Sequence, residues 1–303
     1  MSRPTVPTPI EIVDARMDDG AVIRLRRYGV LDRPRIILSH GNGFAIDGYF
    51  PYWSLLLSSF EIVVFDFRNY GRNPVHEGTH DYVRFLADMT ILYDAIDSAF
   101  GKKSQAGVFH SMSARVNLKY ALDGHRRLDA LVVFDPPMVP MKEHPLYERL
   151  LSEERLLWRW SAVRPEYFDD PTELAVLYSK SHMLSGWVSG SYELMARSVL
   201  RYDINKKTWF LVCNPARESH IYRQNTAMNI WPAATEFPLP VLVVGGDPDS
   251  TRPSAPSHAC RALGEEQGWI YQYVPGTNHF LQLQEPTICA DLTSRFLYNA
   301  GVR

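Results

Sequence analysis

Residues 106–118, AGVFHSMSARVNL, decide the fold of this 303-residue chain. The first five residues form an apolar run typical of a buried β-strand, whereas the following residues favour a helix. Ser111 stands at the corner between the two. A buried strand that runs straight into a helix is typical of a parallel sheet covered by helices, so the stretch predicts an α/β fold. Ser111 is then either a reactive nucleophile or an ordinary serine that caps the helix.

The same alternation extends outward from this stretch on both sides. Short β-branched runs bounded by turns predict further strands. They occur at 34–43 (PRIILSHGNG), 60–74 (FEIVVFDFRNYGRNP), 128–137 (LDALVVFDPP), 239–247 (LPVLVVGGD) and 268–276 (GWIYQYVPG).

The pattern changes after Pro137. Helical patterns dominate there, and the only strand-like run is the ambiguous KTWFLVC at 207–213. The sequence therefore predicts a parallel-sheet core made of residues 1–137 and 237–303, interrupted by a helical insertion at 138–236.

Composition excludes several classes of protein. The chain is 46% hydrophobic and 22% charged, with a formal net charge of −2, and it has no basic patch of the kind that binds nucleic acid. The N-terminal residues lack a signal-peptide core, and no apolar run is long enough to span a membrane, so we expect a cytoplasmic protein. The three cysteines are far apart and predict neither a disulfide framework nor a metal site.

Residues that can carry chemistry follow the predicted strands. The carboxyl ends of parallel strands meet at one edge of a sheet. Ser111, an aspartate and His279 each follow a strand in that chain order, which is one known order of a Ser-His-Asp triad. In such a triad the histidine takes the proton of the serine, and the carboxylate orients the histidine.

Four motifs carry a resemblance to a known family. SHGNGF (39–44) resembles an oxyanion loop, and FHSMS (109–113) resembles a nucleophile elbow. DFRNYGRN (66–73) and VPGTNHFLQLQEP (274–286) resemble the two remaining loops. Together they resemble the α/β-hydrolase fold superfamily and, within it, the capped serine hydrolases of esterase or lipase type. The resemblance implies a mostly parallel eight-stranded sheet flanked by helices, with residues 138–236 as a helical cap or lid.

By the same resemblance, Ser111 is the nucleophile and His279 the base. The family pattern G-x-x-D with a proline four residues later selects Asp249 as the acid. Asp247 fits if its strand ends earlier. Asp135 is a further alternative, because an acid after the strand that follows the nucleophile is a known variation of the family.

The resemblance also implies an oxyanion hole and the roles of neighbouring charges. Its donors are the backbone N–H groups of Met112 and Asn42, with Gly43 as an alternative to Asn42. Asp66 and Arg68 are expected to form a structural ion pair. No cofactor and no metal are implied.

The elbow departs from the family pattern. Both glycines of G-x-S-x-G are replaced, by Phe109 and Ser113. Ser113 is small, but the ring of Phe109 needs space beneath the turn, and we expect it against Ala114 or Gly107.

We therefore expect a hydrolase that cleaves a small to medium apolar carboxylic ester through an acyl-enzyme. The same triad also serves C–C bond hydrolases, lactonases and amidases, and a ligand-binding protein with little turnover is a further alternative. The expected partner is a small molecule, with neither nucleic acid nor a membrane span, and a homodimer is compatible with the sequence.

Overall fold

A computed structural model describes residues 4–224, 228 and 230–302. The chain forms two sheets, whose strands we number in chain order. They are β1 (Glu11–Arg16), β2 (Val22–Gly29), β3 (Arg35–Ser39), β4 (Glu61–Phe65), β5 (Gln105–His110), β6 (Ala130–Phe134), β7 (Tyr167–Phe168), β8 (Leu200–Asp203), β9 (Thr208–Leu211), β10 (Val241–Gly245) and β11 (Ile270–Tyr273).

The larger sheet has eight strands in the order β1-β2-β4-β3-β5-β6-β10-β11. The β1–β2 and β2–β4 pairs are antiparallel, and every other pair is parallel. This sheet confirms the predicted α/β class with a mostly parallel eight-stranded sheet. Strand β5, which ends beside Ser111, lies in its middle, so the predicted nucleophile stands at the centre of one sheet edge.

Helices cover both faces of the large sheet. The longer core helices are α2 (Tyr82–Phe100), α3 (Met112–Leu122), α8 (Ala255–Gln267) and α10 (Pro286–Asn299), and a short helix α1 spans Phe50–Trp53. The period of two along the strands separates two apolar cores. Ile36 and Leu38 of β3 face the core that contains α1 and α10, whereas Ile37 between them faces the core that contains α2, α3 and α8.

The segment between β6 and β10 is an insertion into the α/β pattern. It contains α4 (Tyr147–Val163), α5 (Pro171–Lys180), α6 (Ser191–Val199) and α7 (Pro215–Arg223), and α9 (Leu281–Gln284) lies beyond it. It also contains the small antiparallel sheet β7-β9-β8, and β9 lies within the ambiguous strand-like run at 207–213. Strands β7 and β8, of two and four residues, are too short to show a period of two in the sequence. Residues 225–227 and 229 of this predicted segment lie outside the described residues.

Buried charges brace the loops at the sheet edge, but not in the expected pair. Asp66 contacts Arg26 at 3.3 Å, whereas Arg68 pairs with Asp88 and with Asp19, each at 2.6 Å. The predicted Asp66–Arg68 pair was therefore wrong, because each side chain has closer partners of opposite charge. Among the described residues, no helix is both long and apolar enough to cross a membrane.

Candidate active site

Ser111 occupies a sharp turn between β5 and α3. β5 ends at His110 and α3 begins at Met112, so Ser111 is the single residue between them. Its φ of 53° lies in a region that non-glycine residues rarely adopt, and such strain is concentrated at functional sites. The Ser111 N–H donates to the carbonyl of Phe134 at 2.9 Å. This hydrogen bond ties the turn to the neighbouring strand β6.

The two residues that replace the elbow glycines fit without opening the turn. Phe109 is fully buried, and a Cβ at Gly107 would overlap its ring, so the ring lies over Gly107. One of the two expected positions is thereby confirmed. The Ser113 hydroxyl accepts from the His110 N–H at 3.0 Å and donates to the His110 carbonyl at 2.9 Å. Gly107, four residues before Ser111, therefore provides space for the ring at position 109, where the family pattern has glycine.

Ser111, His279 and Asp135 form a hydrogen-bonded relay. His279 Nε2 lies 3.0 Å from Ser111 Oγ, and His279 Nδ1 lies 2.6 Å from Asp135 Oδ2. The His279 side chain is 23% exposed, whereas Asp135 is completely buried. Because a carboxylate only accepts, the proton of the short contact sits on Nδ1, and the lone pair of Nε2 faces the hydroxyl of Ser111.

Several further donors hold the Asp135 carboxylate. Oδ1 accepts from the backbone N–H of Gly246 at 3.1 Å and lies 3.8 Å from the sulfur of Cys260. Oδ2 accepts from the hydroxyl of Ser254 at 2.8 Å in addition to His279. A buried carboxylate with this many donors is held in one orientation, which in turn fixes the ring of His279.

The structure does not bring Asp249, the first predicted acid, to His279. Its side chain is 69% exposed and pairs with Arg261, with Nη1 at 3.0 Å from Oδ1. The hydrogen bond from Arg261 lowers the pKa of Asp249. The prediction of its position was wrong because β10 already ends at Gly245, and four further residues carry the chain into an exposed loop.

Asp247, an alternative acid, also lies away from the relay. Its Oδ1 accepts from the Asp249 N–H and its Oδ2 from the Gly276 N–H, both at 2.9 Å, and its own N–H donates to the Thr277 carbonyl. These bonds join the loop after β10 to the loop that carries His279. Of the three aspartates, only Asp135 contacts the histidine. A signal for it was present in the sequence, since Asp135 directly follows a buried strand, as Ser111 does.

The predicted oxyanion donors flank the turn. Met112 is the first residue of α3, so its N–H has no carbonyl partner within the helix. The side chain of Asn42 is engaged elsewhere, because Nδ2 donates to the Glu218 carbonyl at 3.0 Å and Oδ1 accepts from Tyr70 at 2.6 Å. In the described part of the chain, the backbone N–H groups of Asn42 and Met112 have no hydrogen-bond partner.

Gly43, the alternative donor, is constrained by its surroundings. Its φ is 78°, and a Cβ there would overlap the carboxylate of Glu218. The positive φ is therefore the reason for glycine here, and the Glu218 carboxylate occupies the space that a side chain would fill.

His110 is a member of the site that the sequence reasoning missed. It is buried, its Nε2 lies 2.8 Å from the carbonyl of His279, and its Nδ1 lies 2.8 Å from the hydroxyl of Tyr49. Because a carbonyl only accepts, Nε2 carries the proton and Nδ1 accepts from Tyr49. Burial lowers the pKa of His110 well below its usual value, so the ring is neutral. No sequence pattern marks such a pair, because Tyr49 and His110 are distant in the chain.

A cavity of about 800 Å³ opens onto Ser111. Its apolar wall includes Phe44, Met112, Leu150, Leu157, Phe168 and Leu174. Several of these residues belong to α4 and α5 of the insertion, which therefore forms one side of the cavity. Among the described residues, no group of three or more His, Cys, Asp or Glu side chains could hold a metal ion.

Comparison with known proteins agrees with this architecture. A fold match with the crystal structure of E-2-(acetamidomethylene)succinate hydrolase has a TM-score of 0.75 at 18% identity, covering 95% of this chain and 100% of that one. The thioesterase domain from the curacin biosynthetic pathway matches with a TM-score of 0.68 at 17% identity, over 93% of this chain and 98% of that one. An alpha/beta hydrolase from Novosphingobium aromaticivorans matches with a TM-score of 0.70 at 15% identity, over 95% and 98% of the two chains.

At these identities the structural matches show the fold alone. No curated protein matches the chain by sequence. The model of the alpha/beta hydrolase family matches residues 36–292, a range that includes Ser111, Asp135 and His279. The chain belongs to the alpha/beta hydrolase family.

Proposed function

We propose that this protein is a serine hydrolase that cleaves a carboxylic ester through a covalent acyl-enzyme. The observation that supports this best is the relay itself, with 3.0 Å between Ser111 Oγ and His279 Nε2 and 2.6 Å between His279 Nδ1 and Asp135 Oδ2. A nucleophile within hydrogen-bond reach of a base, which a third group orients, is the arrangement that activates a serine hydroxyl.

In the first half of the reaction, His279 takes the proton of Ser111 as Oγ attacks the ester carbonyl. Asp135 keeps Nε2 turned toward the serine and stabilises the imidazolium that forms. The backbone N–H groups of Met112 and Asn42 donate to the oxyanion of the tetrahedral intermediate. One such donor contributes about 3–4 kcal/mol in the transition state. The C–O bond to the alcohol then breaks, and His279 gives its proton to the leaving oxygen.

In the second half, water replaces the alcohol. His279 takes a proton from the water, and the resulting hydroxide attacks the acyl-enzyme carbonyl. Collapse of the second tetrahedral intermediate breaks the bond to Ser111, which recovers its proton from His279. The products are a carboxylic acid and the free enzyme, with no further co-reactant.

The cavity supports an apolar acyl group of small to medium size. Pockets of about 300–1,000 Å³ with mostly apolar walls are typical of small-molecule sites. We propose that the insertion at 138–236 acts as a cap, because α4 and α5 supply Leu150, Leu157 and Leu174 to the wall. Such a cap shields the reacting groups from bulk solvent and can control access to the site.

Hydrolysis of p-nitrophenyl esters of increasing acyl length tests the proposal. We expect wild-type turnover to peak at one acyl length, and Ser111→Ala to abolish it. Ser113→Ala is the matched control, since that hydroxyl is bound to the backbone of His110. Hydrolysis that survives in Ser111→Ala, or a folded wild type that is inert toward the whole series, would contradict the proposal.

A further inference from the structure

The charged side chains that line the cavity are not equally compensated. Carboxylates and guanidinium groups contribute five lining residues: Glu153, Glu154, Arg164, Glu218 and Arg252. Their pairing decides the charge that a bound substrate meets.

Two of the three carboxylates have a cationic partner. Glu218 lies 2.9 Å from Nη1 of Arg164, and Glu154 lies 3.6 Å from Nη1 of Arg115. The side chains of both pairs are buried or largely buried. Each pair therefore carries a net charge close to zero. Arg252 lies on the exposed rim, where water screens its charge.

Glu153 is the remaining carboxylate. Its Oε2 accepts from the backbone N–H of Ala255 at 2.7 Å. No cationic side chain lies within 4.0 Å of it in the described ranges, so Arg149, one turn earlier on α4, and His279 attract it only from a longer distance, and within those ranges its second oxygen has no hydrogen-bond partner. Glu153 is half-buried on α4 and lines the cavity that contains Ser111.

Glu153 also lies close to the relay. Ala255, its backbone partner, directly follows Ser254, and the Ser254 hydroxyl donates to Asp135 at 2.8 Å. A hydrogen bond from a neutral N–H does not cancel the charge of a carboxylate. A partly buried charge is costly unless an opposite charge approaches it. Burial raises the pKa of Glu153, because the ionised carboxylate loses hydration when the side chain is buried.

We propose that Glu153 is a subsite for a cationic group, so that the preferred acyl chain carries an ammonium and an anionic chain is rejected. This inference rests on the proposed ester hydrolysis. An ammonium beside Glu153 gains a Coulombic attraction that is strengthened by the apolar walls, whereas a carboxylate there meets a like charge. The hydrogen bond to Ala255 keeps the carboxylate in place for this contact.

The test compares three p-nitrophenyl esters of similar length, with ε-aminocaproate, heptanoate and adipate as the acyl group. We expect wild-type kcat/KM to fall by about tenfold from the ammonium to the methyl terminus, and again from the methyl to the carboxylate terminus. In Glu153→Gln both ratios approach one, because the neutral amide neither attracts an ammonium nor repels a carboxylate, while its oxygen can still accept from Ala255. Glu148→Gln, an exposed residue of the same helix outside the cavity wall, is the control and should keep the wild-type ratios.

Equal rates for the three esters, or ratios that Glu153→Gln leaves unchanged, would overturn the subsite and leave ester hydrolysis standing. Calorimetric titration with n-hexylammonium reports on the subsite without turnover. We expect binding to wild type that weakens about tenfold in Glu153→Gln. Equal affinity for the two proteins would overturn the subsite. Tighter binding to wild type in a protein that hydrolyses none of the esters would support the subsite while contradicting the proposed function.

Discussion

Asp135 Oδ2 lies 2.6 Å from His279 Nδ1, although the two residues are separated by 144 positions in the chain. Asp135 follows β6 and His279 follows β11, with β10 between these strands in the sheet. The contact therefore spans the end of β10, where the chain continues through Gly245 and Gly246. A Cβ at Gly246 would overlap the backbone of Asn278, which precedes His279, and the Gly246 N–H binds the Asp135 carboxylate.

Substitution of Asp135 and of Asp249 should show which of these two candidate acids supports the reaction. We expect Asp135→Asn to lower kcat by a factor on the order of 10³–10⁴, because an amide favours the wrong tautomer of His279. Asp249→Asn is the matched control and should leave kcat within about twofold, since Asp249 contacts Arg261 at the surface. Steady-state kinetics of the two variants decide between them, and the opposite ranking would return the role to Asp249.

The large sheet and the nucleophile turn could be predicted because local patterns determine them. Buried strands leave apolar runs in the sequence, and Ser111 and His279 follow strands that the pattern marks. The acid could not be assigned in this way. Asp135, Asp247 and Asp249 all follow predicted strands, and the choice depends on where β10 ends and on the glycines that follow it.

Contacts between segments that are distant in the chain could not be predicted from the sequence either. Tyr49 and His110 meet only because β5 lies beside β3 in the folded sheet. Likewise, β7 and β8 are two and four residues long, and they are recognisable as strands only once they are paired with β9.

Removal of the Tyr49 hydroxyl should lower the rate of the reaction, although Tyr49 is not one of the reacting groups. In Tyr49→Phe, Nδ1 of His110 loses its donor and is left buried without that partner, so the ring that donates to the His279 carbonyl is held less firmly. We expect kcat to fall by about tenfold with KM nearly unchanged, because the loss affects the position of the base rather than substrate binding.

Tyr52→Phe is the control for Tyr49→Phe. Tyr52 is equally buried, and its hydroxyl contacts Thr293 at 2.8 Å, away from the site. A similar loss of kcat in both variants would attribute the effect to general destabilisation and contradict the role of Tyr49.

Phe109 should be required for stability although it departs from the elbow pattern. Its ring is fully buried over Gly107, so Phe109→Ala leaves a cavity in the core beneath the turn. We expect the free energy of unfolding to fall by about 3–5 kcal/mol in urea titrations. Val83→Ala, at a position that is 77% exposed, should change it by less than about 0.5 kcal/mol. A loss below about 1 kcal/mol for Phe109→Ala would show that the neighbouring side chains close the space.

His80 should make the protein less stable as the pH falls below neutrality. Burial lowers the pKa of His80 to about 3, whereas a histidine in the unfolded chain titrates near pH 6.5. Above pH 6.5 both states are neutral and the penalty is absent. Below it the unfolded state binds the proton first, so the free energy of unfolding decreases as the pH falls toward 3.

The size of the effect follows from the same two values. At pH 5 the His80 contribution amounts to a loss of about 2 kcal/mol relative to pH 7 or above. Urea titrations of wild type and His80→Gln at pH 7 and pH 5 measure it. His40, His110 and His258 also have pKa values lowered by burial, but they contribute equally in the two proteins, so the difference between wild type and His80→Gln isolates His80. We expect the decrease between the two pH values to be about 2 kcal/mol smaller in His80→Gln. Equal decreases in the two proteins would show that the folded state takes up the proton at His80 as readily as the unfolded chain does.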